Sequence, residues 1–239
     1  MQLFGNEGYV TVALPKKEIK PLQLLSKTGK KSKAVEYLNG ASIKDLFIKG
    51  EVGSIPAITT INTVKVLKGN SKTSFDSSTG LSMITRWFTK EEGKFKSSIK
   101  NSDRLEFSFK DLSGQQINPI NLDKFINNGK IKDEAKAYVE KLKDSEIYII
   151  TSVYKSKEFL FRLVDQNNKQ KEFSIDVENQ VKGELTKDSS SKGEYQFKYK
   201  GDEPLVFALK AARLLYDKGT WFNKKDAIFK IIPDDKIIV

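Results

Sequence analysis

The sequence predicts an α+β fold: a twisted, mostly antiparallel sheet with peripheral helices. Three observations carry that expectation. Short runs of alternating apolar and polar residues recur along the chain, the period of two that gives a strand its two faces. Between them stand a few segments with apolar residues three and four apart, the spacing of an amphipathic helix. With 38% hydrophobic and 31% charged residues over 239 positions, the composition is that of a globular chain with one substantial core rather than a disordered one.

Residues 146–222 organise the rest. Ile147, Ile149 and Ile150 interleave with Tyr148 and Thr151, a β-branched and aromatic run that suits a buried strand. It continues into an alternating one at Phe159, Phe161 and Leu163. Phe173, Ile175 and Val177 alternate in turn, with the polar 165–171 read as a turn between. Val181–Leu185 and Tyr195–Tyr199 read as a second hairpin across K-D-S-S-S-K-G. A helix is predicted next, with Asp202 as N-cap, Glu203 in the first turn and Pro204 near the first helical position. Leu205, Ala208, Ala212, Leu215 and Tyr216 follow at helical spacing, and Gly219 supplies the C-cap.

Upstream, residues 1–14 read as a strand with Tyr9, Val10, Val12 and Leu14 inward, ended by Pro15. The segment after it holds an apolar knot, Leu22, Leu24 and Leu25, beside a basic cluster of Lys27, Lys30, Lys31 and Lys33. That pairing reads either as a membrane-facing patch with an apolar anchor or as a solvated loop pinned by three leucines. A short helix or turn is expected over 40–47, with Ile43, Leu46 and Phe47 buried. A strand region starts at Ile55-Pro56, and Gly69-Asn70 marks a turn. Residues 81–112 form a further hairpin candidate, with Phe95 and Ile99 before Leu105, Phe107 and Phe109. A short helix is expected from Asp123 and a clearer one over 131–144, with Ala135, Tyr138, Val139 and Leu142 inward. The final apolar residues, Ile228, Phe229, Ile231 and Ile232 among them, form a tail expected to be docked, since exposed it would aggregate.

Histidine and cysteine are both absent. Ser–His and Cys–His triads, thiolate nucleophiles and Cys/His zinc sites are thereby excluded, and no carboxylate pair is singled out by its spacing. No cofactor, phosphate-binding loop or dinucleotide fingerprint is legible. No run of about 18 apolar residues is present, so no transmembrane helix is expected. The first ten residues lack a signal-peptide pattern, which predicts a cytoplasmic chain. A net charge of +11 and a pI near 9.4 favour polyanionic partners, anionic lipid or nucleic acid.

Several of these stretches carry a resemblance. I-Y-I-I-T-S-V-Y-K-S-K at 147–157, Y-K-G-D-E-P-L-V-F-A-L-K-A-A-R-L-L-Y-D-K-G at 199–219, P-L-Q-L-L from Pro21 and G-A-S-I-K-D-L-F from Gly40 resemble the gasdermins, in particular the short bacterial ones, and the similarity spans most of the chain. The resemblance implies a pore-forming domain over 1–219 and a short inhibitory tail over 220–239. It implies a protein held inactive in the cytoplasm and cut by a protease, with Lys224 and Lys225 as candidate cleavage points. The released domain would self-assemble on anionic lipid of the inner membrane into a β-barrel pore that kills the cell, an antiphage defence. Lys27, Lys30, Lys31 and Lys33 would meet the lipid. The inserting hairpins would draw on Phe95, Ile99, Leu105, Phe107, Phe109, Phe159, Phe161, Phe173, Ile175, Tyr195, Phe197 and Tyr199. In the family a cysteine near the N-terminus carries a fatty acyl chain; here Leu3 and Phe4 stand near that place.

Two other readings stay open on the sequence alone. A nucleic-acid-binding domain fits the charge, with Tyr195, Phe197 and Tyr199 as a stacking strand. An enzyme is the reading with least support, because no nucleophile–base pair is legible.

Overall fold

In the computed structural model, residues 9–27, 35–48, 54–61, 66–72, 104–135, 138, 147–164, 183–189, 194–217 and 228–234 are described. They fall into two compact units. Unit 1 comprises Met1–Glu18, Asn62–Gly114 and Tyr154–Ala208; unit 2 comprises Ile19–Ile61, Gln115–Val153 and Leu209–Val239. Among the described residues the strands of both pair antiparallel, and helices are few. The α+β expectation holds.

Unit 2 contains strands β2 (Gln23–Lys27), β3 (Val35–Ser42), β4 (Phe47–Ile48), β5 (Ile58–Ile61) and β9 (Lys130–Ile131), with helices α1 (Ile43–Leu46) and α2 (Pro119–Asn128). Its core joins Leu22, Leu24, Ile43, Leu46, Phe47, Ile117, Leu122, Phe125, Ile126, Ala135, Ile147, Ile149 and Leu214. The apolar knot of the basic segment is therefore core. Leu24 and Leu25 lie on β2, which pairs with both β3 and Ile147–Ile149. In this structure Leu22, Leu24 and Leu25 are buried in the protein rather than exposed beside the basic cluster. Within that segment Gln23–Lys27 is strand rather than loop. Before it, Lys20–Gln23 makes a tight turn in which Pro21 fixes one φ and Leu22 takes the other at +72°. A leucine rarely adopts that left-handed conformation. Here it is held because the Leu22 N–H donates to the Ile150 carbonyl at 2.8 Å and its own carbonyl accepts from Ile43 N–H at 2.9 Å.

Helix α1 starts where the 40–47 reading puts it, with Ser42 N–H donating to the Asp45 carboxylate at 2.7 Å. Helix α2 starts earlier than the expected Asp123. Asn118 caps it, accepting from Ile120 N–H at 2.9 Å and Asn121 N–H at 3.4 Å, and Pro119 takes the first turn, where its missing N–H is no loss. Leu122, Phe125 and Ile126 go inward, and Phe125 meets Phe47 edge-on with ring centroids 6.4 Å apart. We expect Asn118→Ala to cost about 1 kcal/mol in chemical unfolding, since it strands donors that Asn118 now satisfies. The helix expected over 131–144 does not begin there: Ile131 pairs in β9 with Phe47, and Asp133–Ala135 is one turn of 3₁₀ helix. Its residues 139–144 lie outside the described residues, as do 1–8 and 165–182.

Unit 1 contains β1 (Val10–Lys16), β6 (Val66–Lys72), β7 (Arg104–Lys110) and β11 (Gly183–Ser189). Strands β8 (Ser113–Ile117), β10 (Ile147–Val164) and β12 (Glu194–Asp217) each contribute residues to both units, and β13 (Ile228–Asp234) belongs to unit 2. Three expectations are corrected here. Pro15 lies within β1 instead of ending it. Among the described residues β1 pairs only with β12, and an edge strand tolerates a proline whose lost N–H faces away from the partner. Gly69-Asn70 is not a turn; it runs inside β6, where Gly69 stands opposite Phe107. A residue without a side chain beside a large ring is a pairing that sheets use.

The third correction is the largest. The helix expected from Asp202 to Gly219 is strand: β12 continues through Asp217, and Gly219 lies outside the described residues. Leu205, Val206, Phe207, Ala208 and Leu209 are five consecutive buried residues. A strand covered on both faces shows no period of two, so its apolar run reads equally well as a buried helix. Partners β1, β10, β11 and β13 satisfy its backbone, and packing overrides the helical propensity of A-L-K-A-A-R-L-L.

Candidate membrane-inserting and regulatory segments

The hairpin candidates of unit 1 meet in register. β7 pairs with the second half of β10 so that Phe109 stands opposite Phe159, Phe107 opposite Phe161 and Leu105 opposite Leu163. On the intervening positions Lys110 is opposite Glu158, with their charged groups 2.7 Å apart, and Glu106 is opposite Arg162. Apolar thus meets apolar and charge meets opposite charge, the cross-strand pairing that stabilises a sheet. On β11 and β12, Leu185 stands opposite Tyr199, Lys187 opposite Phe197 and Ser189 opposite Tyr195. The expected pairing is present, and Lys187, Asp188 and Ser189, read as loop in the sequence, belong to strand β11.

Four rings then close into one ladder. Phe109 stacks on Phe207 at 4.2 Å and 17° between planes, and lies 6.2 Å from Phe159; Phe159 stacks on Tyr199 at 4.9 Å and 21°. All four are essentially withdrawn from solvent. Aromatic pairs at these separations contribute beyond their buried area. The Tyr199 hydroxyl has no hydrogen-bond partner. Burial, then the negative charges of Glu203 and Asp202, push its pKa up, so it stays neutral. Of Tyr195, Phe197 and Tyr199, named as a stacking strand for nucleic acid, Tyr199 is buried against Phe159 and offers no free face. Phe207 belongs to the ladder and was missed in the sequence, because the helical reading of its segment assigned it no role.

Backbone polar groups next to the ladder are tied down by a buried serine. Ser156, 0% exposed, places its hydroxyl oxygen 2.6 Å from the Lys110 carbonyl and 2.7 Å from the Glu158 carbonyl, and accepts Glu158 N–H at 3.2 Å. Lys110 is the last residue of β7, and Asp111 then turns with φ of +51°. Ser156→Ala should cost about 1–2 kcal/mol in urea unfolding, since it leaves buried carbonyl and N–H groups without that partner.

Of the lysines named for lipid, Lys27 is half-buried on β2 opposite Val35; Lys30, Lys31 and Lys33 lie outside the described residues. So do Phe95, Ile99, Phe173, Ile175, Lys224 and Lys225. The tail residues Ile228, Phe229, Ile231 and Ile232 lie on β13. They stand opposite Asp217, Tyr216, Leu214 and Arg213 of β12, and β13 also contacts α2. The apolar tail is docked, as expected. No described helix is long and apolar enough to cross a membrane, which says nothing of crossing by strands.

The described residues form a long-stranded antiparallel sheet with few helices, and comparison with known proteins gives the class to which it belongs. The model of the Bacterial Gasdermin Family matches residues 12–221. The gasdermin of Gillisia limnaea is 33% identical over 244 residues, covering 97% of this chain and 88% of that one. The gasdermin of a Vitiosangium species is 25% identical over 248 residues, covering 97% and 90%. The solved structure of a bacterial gasdermin from Bradyrhizobium tropiciagri superposes with a TM-score of 0.51 at 16% identity, covering 97% of this chain and 91% of that one, and shares the fold. The chain belongs to the bacterial gasdermin family.

Proposed function

We propose that this gasdermin is a pore former held inactive by its own C-terminal tail. The observation that carries the reading is the seven-residue pairing of β13 with 211–217 of β12. It covers backbone donors and acceptors that would otherwise be a free edge, and a free edge is a template for pairing with another chain. In the proposed mechanism a protease cuts between β12 and β13, with Lys224 and Lys225 as candidate points. Loss of the tail uncovers the edge, copies gather on anionic lipid through basic residues near 27–33, and their hairpins extend into a barrel. The barrel must close, because lipid satisfies no open strand edge. The inserting strands are drawn from the segments around Leu105–Phe109, Phe159–Phe161 and Tyr195–Tyr199. The resting site is the cytoplasm, the active site the inner membrane, and the outcome cell death in defence against phage.

The test is dye release from anionic liposomes by the intact chain and by the chain cut after Lys225. Release by the cut chain alone supports the reading. A cut chain that stays folded and releases nothing overturns it.

A further inference from the structure

We infer that β5 is a self-docking edge through which two intact copies of this chain pair, strand to strand, as a closed dimer. Three observations carry the inference, and none depends on the pore reading.

The first is the chemistry of the edges. Among the described residues, β1, β3, β5, β6, β11 and β13 are the strands longer than two residues that pair on one side only. Proteins guard such edges with charges and prolines. β1 carries Pro15 and Lys16, β3 Glu36, β6 Lys68 and Lys72, β11 Glu184, Lys187 and Asp188, and β13 Lys230, Pro233 and Asp234. β5 reads I-T-T-I and carries none. It lies within residues 52–64, the longest run in the chain without a charged side chain.

The second is exposure. Ile58, Thr59 and Thr60 are exposed, and Ile55 and Ile58, each 43% accessible, are with Ile120 the exposed large apolar side chains among the described residues. Thr59 is held by its hydroxyl on the Gln116 carbonyl at 3.2 Å, so the strand is presented by its partner β8 rather than left loose.

The third is the fit of the edge to itself. Copies with a net charge of +11 repel one another, and the approach that brings no charged residue opposite another is β5 to β5. Along a strand, alternate residues point their N–H and C=O groups to the same side. A strand pairing with its own copy therefore matches residues of equal parity. The centre falls on Thr59 opposite Thr59, with Ile58 against Thr60, or on Thr60 opposite Thr60, with Thr59 against Ile61. Both registers set β-branched residues against each other, a favourable cross-strand arrangement. Such a contact uses the same surface on both copies, so it closes at two. Four residues of strand make a small interface, which gives a weak, concentration-dependent dimer.

The absence of cysteine makes the test direct. Thr59→Cys and Thr60→Cys each introduce a sole thiol, and opposed residues in an antiparallel pair lie about 4.5–5.5 Å apart at Cα, within disulfide reach. The intact chain is used, without membrane. We expect mild oxidation to yield a disulfide dimer from one of the two variants, while Lys124→Cys, on the exposed face of α2, stays monomeric. In sedimentation velocity the unmodified chain should show a dimer fraction rising with concentration, and Thr60→Lys should weaken that association about tenfold through like charges on the paired edge while its circular dichroism and thermal midpoint stay unchanged. Monomer at every concentration, with cross-linking of both cysteine variants no greater than the Lys124→Cys control, overturns the inference. An association that grows beyond two copies also overturns it, since this edge closes on itself. Neither failure touches dye release by the cut chain.

Discussion

The chain cut after Lys225 should empty anionic liposomes at concentrations where the intact chain leaves them sealed. Seven residue pairs join β13 to β12, and Leu214, one of the paired positions, belongs to the core of unit 2. Removing the tail exposes the edge of 211–217 and takes away the strand that lies beside α2. Both changes favour association with another copy or with lipid over the isolated state. A tail that holds the competent form to about one per cent of the population gives a leak about a hundredfold faster once it is gone. Charge supplies a second axis to the same experiment. If lysines draw the protein to the surface, release falls steeply when salt is raised or anionic lipid is replaced by neutral lipid. Leakage by both forms would keep the pore and discard the tail as its inhibitor. Leakage insensitive to salt and lipid charge would remove the basic residues from the mechanism.

Phe207→Ala should lower stability by about 3–5 kcal/mol, the usual cost of deleting a fully buried ring. Phe207 is 0% exposed and stacked on Phe109, which in turn contacts Phe159, so its loss opens one end of the aromatic ladder. In a chain of this length the loss lowers the thermal midpoint by on the order of 10 °C. Phe207→Leu keeps most of the apolar volume and should cost less than about half as much. The contrast between the two, read by urea unfolding, separates the ring stack from simple filling of space. Equal losses from both would show that the stacked geometry contributes little. A loss below about 1 kcal/mol from the alanine variant would show that the neighbouring rings collapse into the space.

Where apolar and polar residues alternate along a strand, the sequence was readable. β7 shows it in L-E-F-S-F-K, and β10 in F-L-F-R-L. The short α1 was readable from Ile43, Leu46 and Phe47, all buried as expected, whereas the Ser42–Asp45 cap at its start went unread. β12 was misread because burial on both faces erases the period of two, and D-E-P followed by apolar residues mimics a helix start. Pro15 and Gly69 were misread as punctuation because their meaning depends on neighbours remote in sequence: β12, the one partner of β1 among the described residues, and Phe107 across from β6. The candidate site divided the same way. Its strand positions were visible one by one, yet the stack of Phe109, Phe159, Tyr199 and Phe207 draws on three separate strands. The role of Ser156 was invisible, since nothing near it in sequence marks a serine that satisfies a carbonyl 46 positions away.

The lengths of the two longest strands have a consequence of their own. A strand crossing a bilayer at a tilt needs about 9–11 residues. β10 has 18 residues and β12 has 24. The part of β10 in unit 1, residues 154–164, is by itself long enough to cross, while Ile147 and Ile149 stay in the core of unit 2. The part of β12 in unit 1, residues 194–208, is longer still, and Leu214 lies beyond it in that same core. In the barrel proposed above, each strand would hold its core residues and a length sufficient for a crossing in a single stretch of backbone. A chain built this way can commit one end of a strand to lipid without surrendering the other, so insertion would be a local remodelling rather than a global unfolding.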